Sequence, residues 1–83
     1  MPHHNPIDQL NRSLGKSILI KCKRSKVFKG ILRSYDPHLN VLIEDVSYSH
    51  FERNEDETME EHTEKINRIV LRGDSIVFIG LSG

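Results

Sequence analysis

The sequence predicts a mainly β protein, in which a short N-terminal helix precedes a strongly bent five-stranded antiparallel sheet that forms a small open barrel. Three observations predict this fold. Five short apolar runs are rich in β-branched residues or alternate with polar ones, which is typical of strands. Gly30 lies within the second run, where glycine usually marks a bulge or a sharp bend. The 83 residues suffice for one small domain with a limited core.

The N-terminal helix is predicted over residues 5–15. Asn5 is a suitable N-cap, Pro6 fits the first helical position and Gly15 fits the end. The apolar residues of this segment fall on one helical face; they are Ile7, Leu10 and Leu14. Isolated helices of this length are unstable in water, so this one needs a surface to pack on.

Five strands are predicted after the helix, and most of the links between them are short. The predicted strands are residues 17–23, 27–35, 41–46, 66–71 and 75–80. Arg72-Gly73-Asp74 alone separates the last two, so that link is tight. Residues 47–64 are acidic, have few apolar residues and show no strict period, which predicts a long hairpin loop into which the strand ends could extend.

Charge is divided unevenly along the chain. Residues 52–65 hold seven acidic and two basic residues, whereas the rest of the chain holds ten basic and five acidic residues, so a formal net charge of +0 hides a basic body and an acidic segment. A basic body can bind a phosphate-bearing partner. The acidic segment is expected to repel RNA from one face and to steer it to the other.

Composition also bounds the cellular setting. No apolar stretch approaches the ~20 residues of a membrane span, and the first residues lack the basic and apolar regions of a signal peptide. Cys22 is the sole cysteine and is expected to be a small buried hydrophobic residue. An intracellular, reducing compartment is therefore expected, and we predict a cytoplasmic location.

Two polar runs, at residues 34–40 and 71–75, each fall at a predicted turn between apolar strands. Together they hold a histidine and an arginine that can stack on a flat ring, an asparagine whose amide can recognise a ring edge, and aspartates that can hold the other groups. A pocket of this kind suits a nucleobase, so the two runs predict RNA binding rather than catalysis.

The order of the residues in these two regions resembles the two motifs of the Sm and Sm-like (Lsm) protein family. The first motif matches Phe28-x-Gly30-x-Leu32-x-x-Tyr35-Asp36-x-His38-x-Asn40-x-x-Ile43, and the second matches Ile69-x-Leu71-Arg72-Gly73-Asp74-x-Ile76. The resemblance covers residues 7–79 apart from the acidic segment, and the compact chain looks most like the archaeal members. It implies the Sm fold, an SH3-like barrel. The single domain, residues 1–83, would comprise the helix at 5–15, a first motif region at 16–46, an acidic variable loop at 47–64 and a second motif region at 65–80.

The resemblance implies a ring of six or seven subunits, most simply of identical chains. In the family the fourth strand of one subunit pairs with the fifth strand of the next, here residues 66–71 and 75–80. These apolar strands have little edge protection, which favours the same pairing. The implied partner is uridine-rich single-stranded RNA bound at the pore. The implied role is a scaffold or chaperone in RNA processing or turnover, with RNA-processing proteins as further partners.

The resemblance also implies the roles of the residues that would touch the base. His38 and Arg72 would sandwich a uracil ring, because imidazole and guanidinium planes stack on any base. Asn40 would supply selectivity, since its amide places a donor beside an acceptor. A fixed amide of this kind suits the edge of uracil and mismatches that of cytosine.

Further residues would support this pocket. Asp36 is placed to fix Asn40 across the turn, and Gly73 is expected to let the backbone turn and approach the base closely. Asp74 is expected to cap its turn, and it could also contact the ligand or a neighbouring subunit. Tyr35 could stack a second base, although a packed strand tyrosine is the simpler interpretation. Basic residues near that second RNA contact would be Arg33 and Arg12.

Other interpretations remain open at this stage. Each polar residue could serve only an ordinary turn. A small hydrolase using Asp36 and His38 would lack an evident nucleophile. A protein–protein adaptor barrel without RNA specificity is the stronger alternative, because a fold does not determine a function. We predict no metal site and no cofactor, because His3-His4, His50 and His62 show no ligand spacing.

Overall fold

The computed structural model describes residues 6–81, which form one helix, five strands and a short 3-10 turn. The elements are α1 (Pro6–Ser13), β1 (Ser17–Cys22), β2 (Lys26–Tyr35), β3 (Val41–Arg53), β4 (Met59–Leu71), the 3-10 turn (Gly73–Ser75) and β5 (Ile76–Leu81). All strand pairs are antiparallel. The prediction of a mainly β fold, with a short helix before a bent five-stranded antiparallel sheet, is confirmed. Asn5 and His3-His4 lie outside the described residues.

The sheet order is β4-β3-β2-β1-β5, so the last two strands lie at opposite edges although only a short turn separates them in sequence. β5 crosses the barrel and pairs with β1, where Cys22 lies opposite Ile76. The alternate inward-facing residues of the strands, together with one helix residue, form a single core. Its buried members are Leu10, Ile18, Ile20, Cys22, Phe28, Leu32, Val41, Ile43, Val46 and Leu71.

α1 contributes one side chain to this core and ends earlier than predicted. Leu10 is buried, but Leu14 is 42% exposed, so its predicted place on the packed face is wrong. The helix ends at Ser13 because Gly15 adopts φ 78° and donates its N–H to the carbonyl of Leu32 at 2.8 Å, which turns the chain into β1. Within residues 6–81 no helix is long and apolar enough to cross a membrane.

Gly30 marks the bend of the sheet, as predicted. Lys29 lies opposite Ser47 and Ile31 opposite Glu44, so Gly30 alone faces two residues of β3. This is the geometry of a β-bulge. A Cβ atom at Gly30 would lie 2.8 Å from the Glu44 carbonyl oxygen, so the close approach of the two strands requires glycine.

The prediction of a long acidic loop over residues 47–64 is wrong in its main part. β3 and β4 continue as a regular ladder from Tyr48 opposite Glu64 to Arg53 opposite Met59. Only residues 54–58 form the turn. The Asn54 N–H closes this turn by donating to the Thr58 carbonyl at 2.8 Å. Both faces beyond residue 50 are exposed, so the strands carry no alternation of apolar and polar residues that sequence analysis could detect.

The Gly30→Ala variant is expected to be less stable than the parent by about 1–3 kcal/mol, because the added methyl group overlaps β3 backbone that cannot move freely. Urea unfolding followed by circular dichroism measures the change. The matched control is Lys29→Ala at the exposed neighbouring position. Equal midpoints for the two variants would contradict the packing argument.

Candidate nucleic-acid interface

The turn between β2 and β3 is organised by the carboxylate of Asp36. Its Oδ1 accepts the backbone N–H of His38 at 2.8 Å and that of Asn40 at 3.0 Å. The Asp36 N–H donates to the Asn40 carbonyl at 3.0 Å, and Leu39 between them adopts φ 64°. A left-handed leucine is unusual and is held here by the surrounding hydrogen bonds. The turn therefore fixes the backbone positions from which His38 and Asn40 project.

The side-chain amide of Asn40 is held at both ends. Its Nδ2 donates to Asp36 Oδ2 at 2.9 Å, and its Oδ1 accepts the backbone N–H of Gly73 at 2.9 Å. These contacts orient the amide with nitrogen toward Asp36 and oxygen toward Gly73. One N–H and one oxygen lone pair remain for a further partner. The structure therefore joins the two polar runs through the residue that was expected to discriminate the base.

Gly73 is needed for a close approach of two backbones, while its approach to a base stays a prediction. Its φ is not positive, since Gly15 alone among the described glycines has a positive φ. A Cβ atom at Gly73 would instead overlap the His38 carbonyl oxygen and lie 3.1 Å from the carbonyl carbon of Leu39. The missing side chain thus lets the two turns pack backbone against backbone.

The two turns enclose an open pocket of about 510 Å³. Four of its lining residues are exposed: His38, Val70, Arg72 and Asp74. The full lining is Asp36, His38, Asn40, Val70, Arg72 and Asp74. Sequence analysis missed Val70, although it lies two residues before Arg72, and the extended backbone that continues from β4 through Arg72 places both side chains on one face.

Asp74 does not close its own turn, contrary to expectation. Ser75 does so, because its N–H and its hydroxyl both donate to the Arg72 carbonyl, at 3.0 and 2.7 Å. Asp74 Oδ2 lies 3.5 Å from Arg72 Nη2, and both side chains are largely solvent-exposed. This ion pair restrains the guanidinium beside the pocket but adds little stability, as is usual for exposed pairs.

The residues of the suggested second RNA contact have different partners. Tyr35 packs against the core, and its hydroxyl donates to Asn11 Oδ1 at 3.2 Å. Arg33 Nε lies 3.0 Å from Glu44 Oε1, and Arg12 follows Asn11 in the last turn of α1. A packed strand tyrosine therefore describes Tyr35, and a second RNA contact at these residues stays a prediction.

Electrostatics at the pocket favour an ionised Asp36. The hydrogen bond from the Asn40 side chain, reinforced by the backbone N–H groups of Asn40 and His38, lowers the pKa of the Asp36 carboxyl below its ordinary value. At neutral pH this carboxylate accepts all three hydrogen bonds. The orientation of the Asn40 amide therefore depends on the charge of Asp36.

Comparison with known proteins gives matches over almost the whole chain. Residues 8–81 match the family model of the LSM domain. An Sm-like protein of Methanococcoides burtonii is 30% identical over 76 residues, which cover 92% of this chain and 94% of that protein. An Sm-like protein of Pyrococcus horikoshii is 38% identical over 74 residues, which cover 89% and 88% of the two chains.

Solved structures give the same result at the level of the fold. The Pyrococcus abyssi Sm protein, solved in complex with a uridine heptamer, superposes with a TM-score of 0.75 at 32% identity and covers 95% of this chain and 100% of its own. A heptameric archaeal Sm protein superposes with a TM-score of 0.72 at 32% identity and covers 92% of this chain and 98% of its own.

The carboxylate of Asp36 is expected to stabilise the fold in a pH-dependent manner. Because its folded-state pKa is lowered, its contribution is fully present above its unfolded pKa of ~3.9 and is lost as the pH falls through the folded value. The free energy of unfolding of the parent should exceed that of Asp36→Asn at neutral pH, and the difference should shrink in acid. The pKa of Asp56 is also lowered, but its contribution cancels in the difference between the two free energies because both proteins contain this residue. A difference that does not change with pH would contradict this assignment.

Proposed function

The chain belongs to the LSM-domain family, and on that premise we propose that it forms a closed ring that binds uridine-rich single-stranded RNA at its pore. The observation that carries the proposal is the Asn40 amide, fixed between Asp36 and Gly73 at the edge of an open pocket. The proposed role is a scaffold or chaperone in RNA processing or turnover. The uridine heptamer bound by the Pyrococcus abyssi protein supports this choice of ligand.

Base selectivity in this proposal comes from the orientation of one amide. The remaining N–H of Asn40 would donate to uracil O4, and the remaining lone pair of Oδ1 would accept uracil N3–H. Cytosine presents the opposite order of donor and acceptor, so it would leave both groups unsatisfied. Because Asp36 and Gly73 hold the amide before RNA arrives, little side-chain entropy is lost on binding.

Affinity would come mainly from stacking. His38 and Arg72 are both exposed and line the same pocket, so a base can lie between an imidazole and a guanidinium plane. Stacking of this kind contributes about 1–3 kcal/mol per base and is tolerant of sequence. A ring would repeat the pocket in every subunit, so several bases of one strand would bind with a high effective concentration.

The free edges of the sheet support the ring. β4 and β5 lie at the two edges, and both carry exposed apolar side chains. The exposed fractions are 62% for Val70, 68% for Val77, 52% for Phe78 and 66% for Leu81. Pairing of β4 with β5 of the next subunit would cover these residues and would remove both edges. Six or seven subunits would close the ring, and the heptameric neighbour favours seven.

Binding without catalysis completes the proposal. Asp36 Oδ1 accepts the backbone N–H of His38, so the carboxylate does not orient the imidazole as an acid–base pair would require. The protein–protein adaptor alternative leaves the fixed Asn40 amide without a role. The buried free thiol of Cys22 supports a reducing, cytoplasmic compartment.

Fluorescence anisotropy with short oligo(U) and oligo(A) tests the pocket. The parent should bind oligo(U) more tightly, and Asn40→Ala should lose most of that preference. Arg72→Ala should weaken binding of both oligomers, because it removes stacking energy of about 1–3 kcal/mol per base.

Arg53→Ala is the matched control for this experiment, since it removes the same charge from the hairpin far along the sequence from the pocket. Its affinity should stay close to that of the parent. Equal affinity of the parent for both oligomers would refute base discrimination by Asn40. Light scattering tests the ring separately, and a stable monomer at micromolar concentration would rule it out.

A further inference from the structure

We propose that the outer half of β4, residues 59–65, is a docking edge for a basic, extended segment of another protein, which adds to the sheet as an extra strand. The inference rests on the proposed ring, because ring formation would occupy only the other half of β4. It adds a protein partner of defined chemistry to the RNA partner.

The first argument is the difference in strand length. β4 has 13 residues, whereas β5 has six. β5 of the next subunit, paired with the apolar residues 66–71, would leave residues 59–65 beyond its reach. β4 is an edge strand along its entire length. The N–H and C=O groups on the outer side of residues 59–65 would therefore remain without strand partners in a closed ring.

The second argument is the shape of this outer half. It is not a frayed loop, because β3 pairs with it in unbroken register to Met59 opposite Arg53. A regular exposed edge is the template to which extended peptides add, with main-chain hydrogen bonds for affinity and alternate side chains for specificity. Phe51 and Met59 lie on the same face of the hairpin, and 37% and 58% of their surfaces are exposed. Met59 offers apolar contact to the alternate residues of an added strand, and Phe51 extends that apolar surface onto β3.

The third argument is charge. Three glutamates lie on this edge, Glu60 and Glu64 on one face of the strand and Glu61 on the other, and Glu61 and Glu64 form no ion pair within residues 6–81. His62 Nε2 lies 3.5 Å from Glu52 Oε2 and 3.9 Å from Glu60 Oε2, and these contacts become ion pairs when the imidazole is protonated. Like charges directly opposite one another destabilise strand pairs, whereas opposite charges stabilise them. The edge should therefore reject a second copy of itself and should repel RNA, but it should accept a strand rich in lysine or arginine.

The experiment uses the complete assembled protein and a fluorescein-labelled peptide of alternating lysine and valine, with a glutamate–valine peptide as the probe control. Anisotropy should detect only the lysine–valine peptide. The triple variant E60Q/E61Q/E64Q should bind it about tenfold more weakly or worse, because the lysines lose their contacts with Glu60 and Glu64 on one face and the nearby charge of Glu61 is removed.

The matched control is D45N/E55Q/E57Q, which removes the same charge from β3 and the turn but not from the edge. The affinity of this control for the lysine–valine peptide should fall by less than about threefold, since only the long-range electrostatic field of the protein changes. Equal loss in the two triple variants would overturn the docking edge in favour of a diffuse charge effect. Absence of peptide binding by the parent would overturn it as well.

Hydrogen exchange locates the bound peptide. Saturating peptide should slow amide exchange within residues 59–65, and protection confined to other strands would overturn the proposal. Light scattering and oligo(U) binding of each variant are recorded in parallel. An intact ring that binds oligo(U) but not the peptide refutes the docking edge alone, whereas a monomer refutes the proposed ring.

Discussion

The hydrogen bond from the Gly73 N–H to Asn40 Oδ1 is the contact on which the rest of the site depends. It joins two turns that lie 33 residues apart, and it forms only because Gly73 has no side chain to collide with the His38 carbonyl. Gly73 also begins the 3-10 turn that leads from β4 to β5. The proposed base pocket and the link to β5 therefore meet at one residue.

Rigidity is distributed unevenly around the pocket, in a way that suits a ligand with both a face and an edge. Three hydrogen bonds hold the carboxylate of Asp36, and two hold the Asn40 amide, so the groups proposed to meet the edge of a base are fixed. His38 and Arg72 are exposed and lie on the rim. Edge recognition needs a fixed donor and acceptor, whereas stacking tolerates movement within a plane.

The sequence predicted the strand positions, the bend at Gly30 and the grouping of the pocket residues well, because each left a local signal. Apolar periodicity marked the strands, and an isolated glycine marked the bulge. Two errors have one physical origin, which is that tertiary placement leaves little local trace. The outer hairpin is a strand exposed on both faces, and Leu14 lies beyond a helix that ends early. Val70 is different, because its spacing from Arg72 was a local signal that went unused.

The pairing of β1 with β5 has a consequence for the chain during its synthesis. Cys22 pairs with Lys26 on one side and with Ile76 on the other, and the ladders from β2 to β4 lie between β1 and β5 in the sequence. β1 therefore leaves the ribosome long before the strand that covers its second edge. Local pairing can assemble β1 to β4 first, but barrel closure must wait for a contact of high sequence separation. The contact of Gly73 with Asn40 lies just beyond the β3–β4 ladder, where Val41 is opposite Leu71, so this part of the proposed pocket can form before β5 closes the barrel.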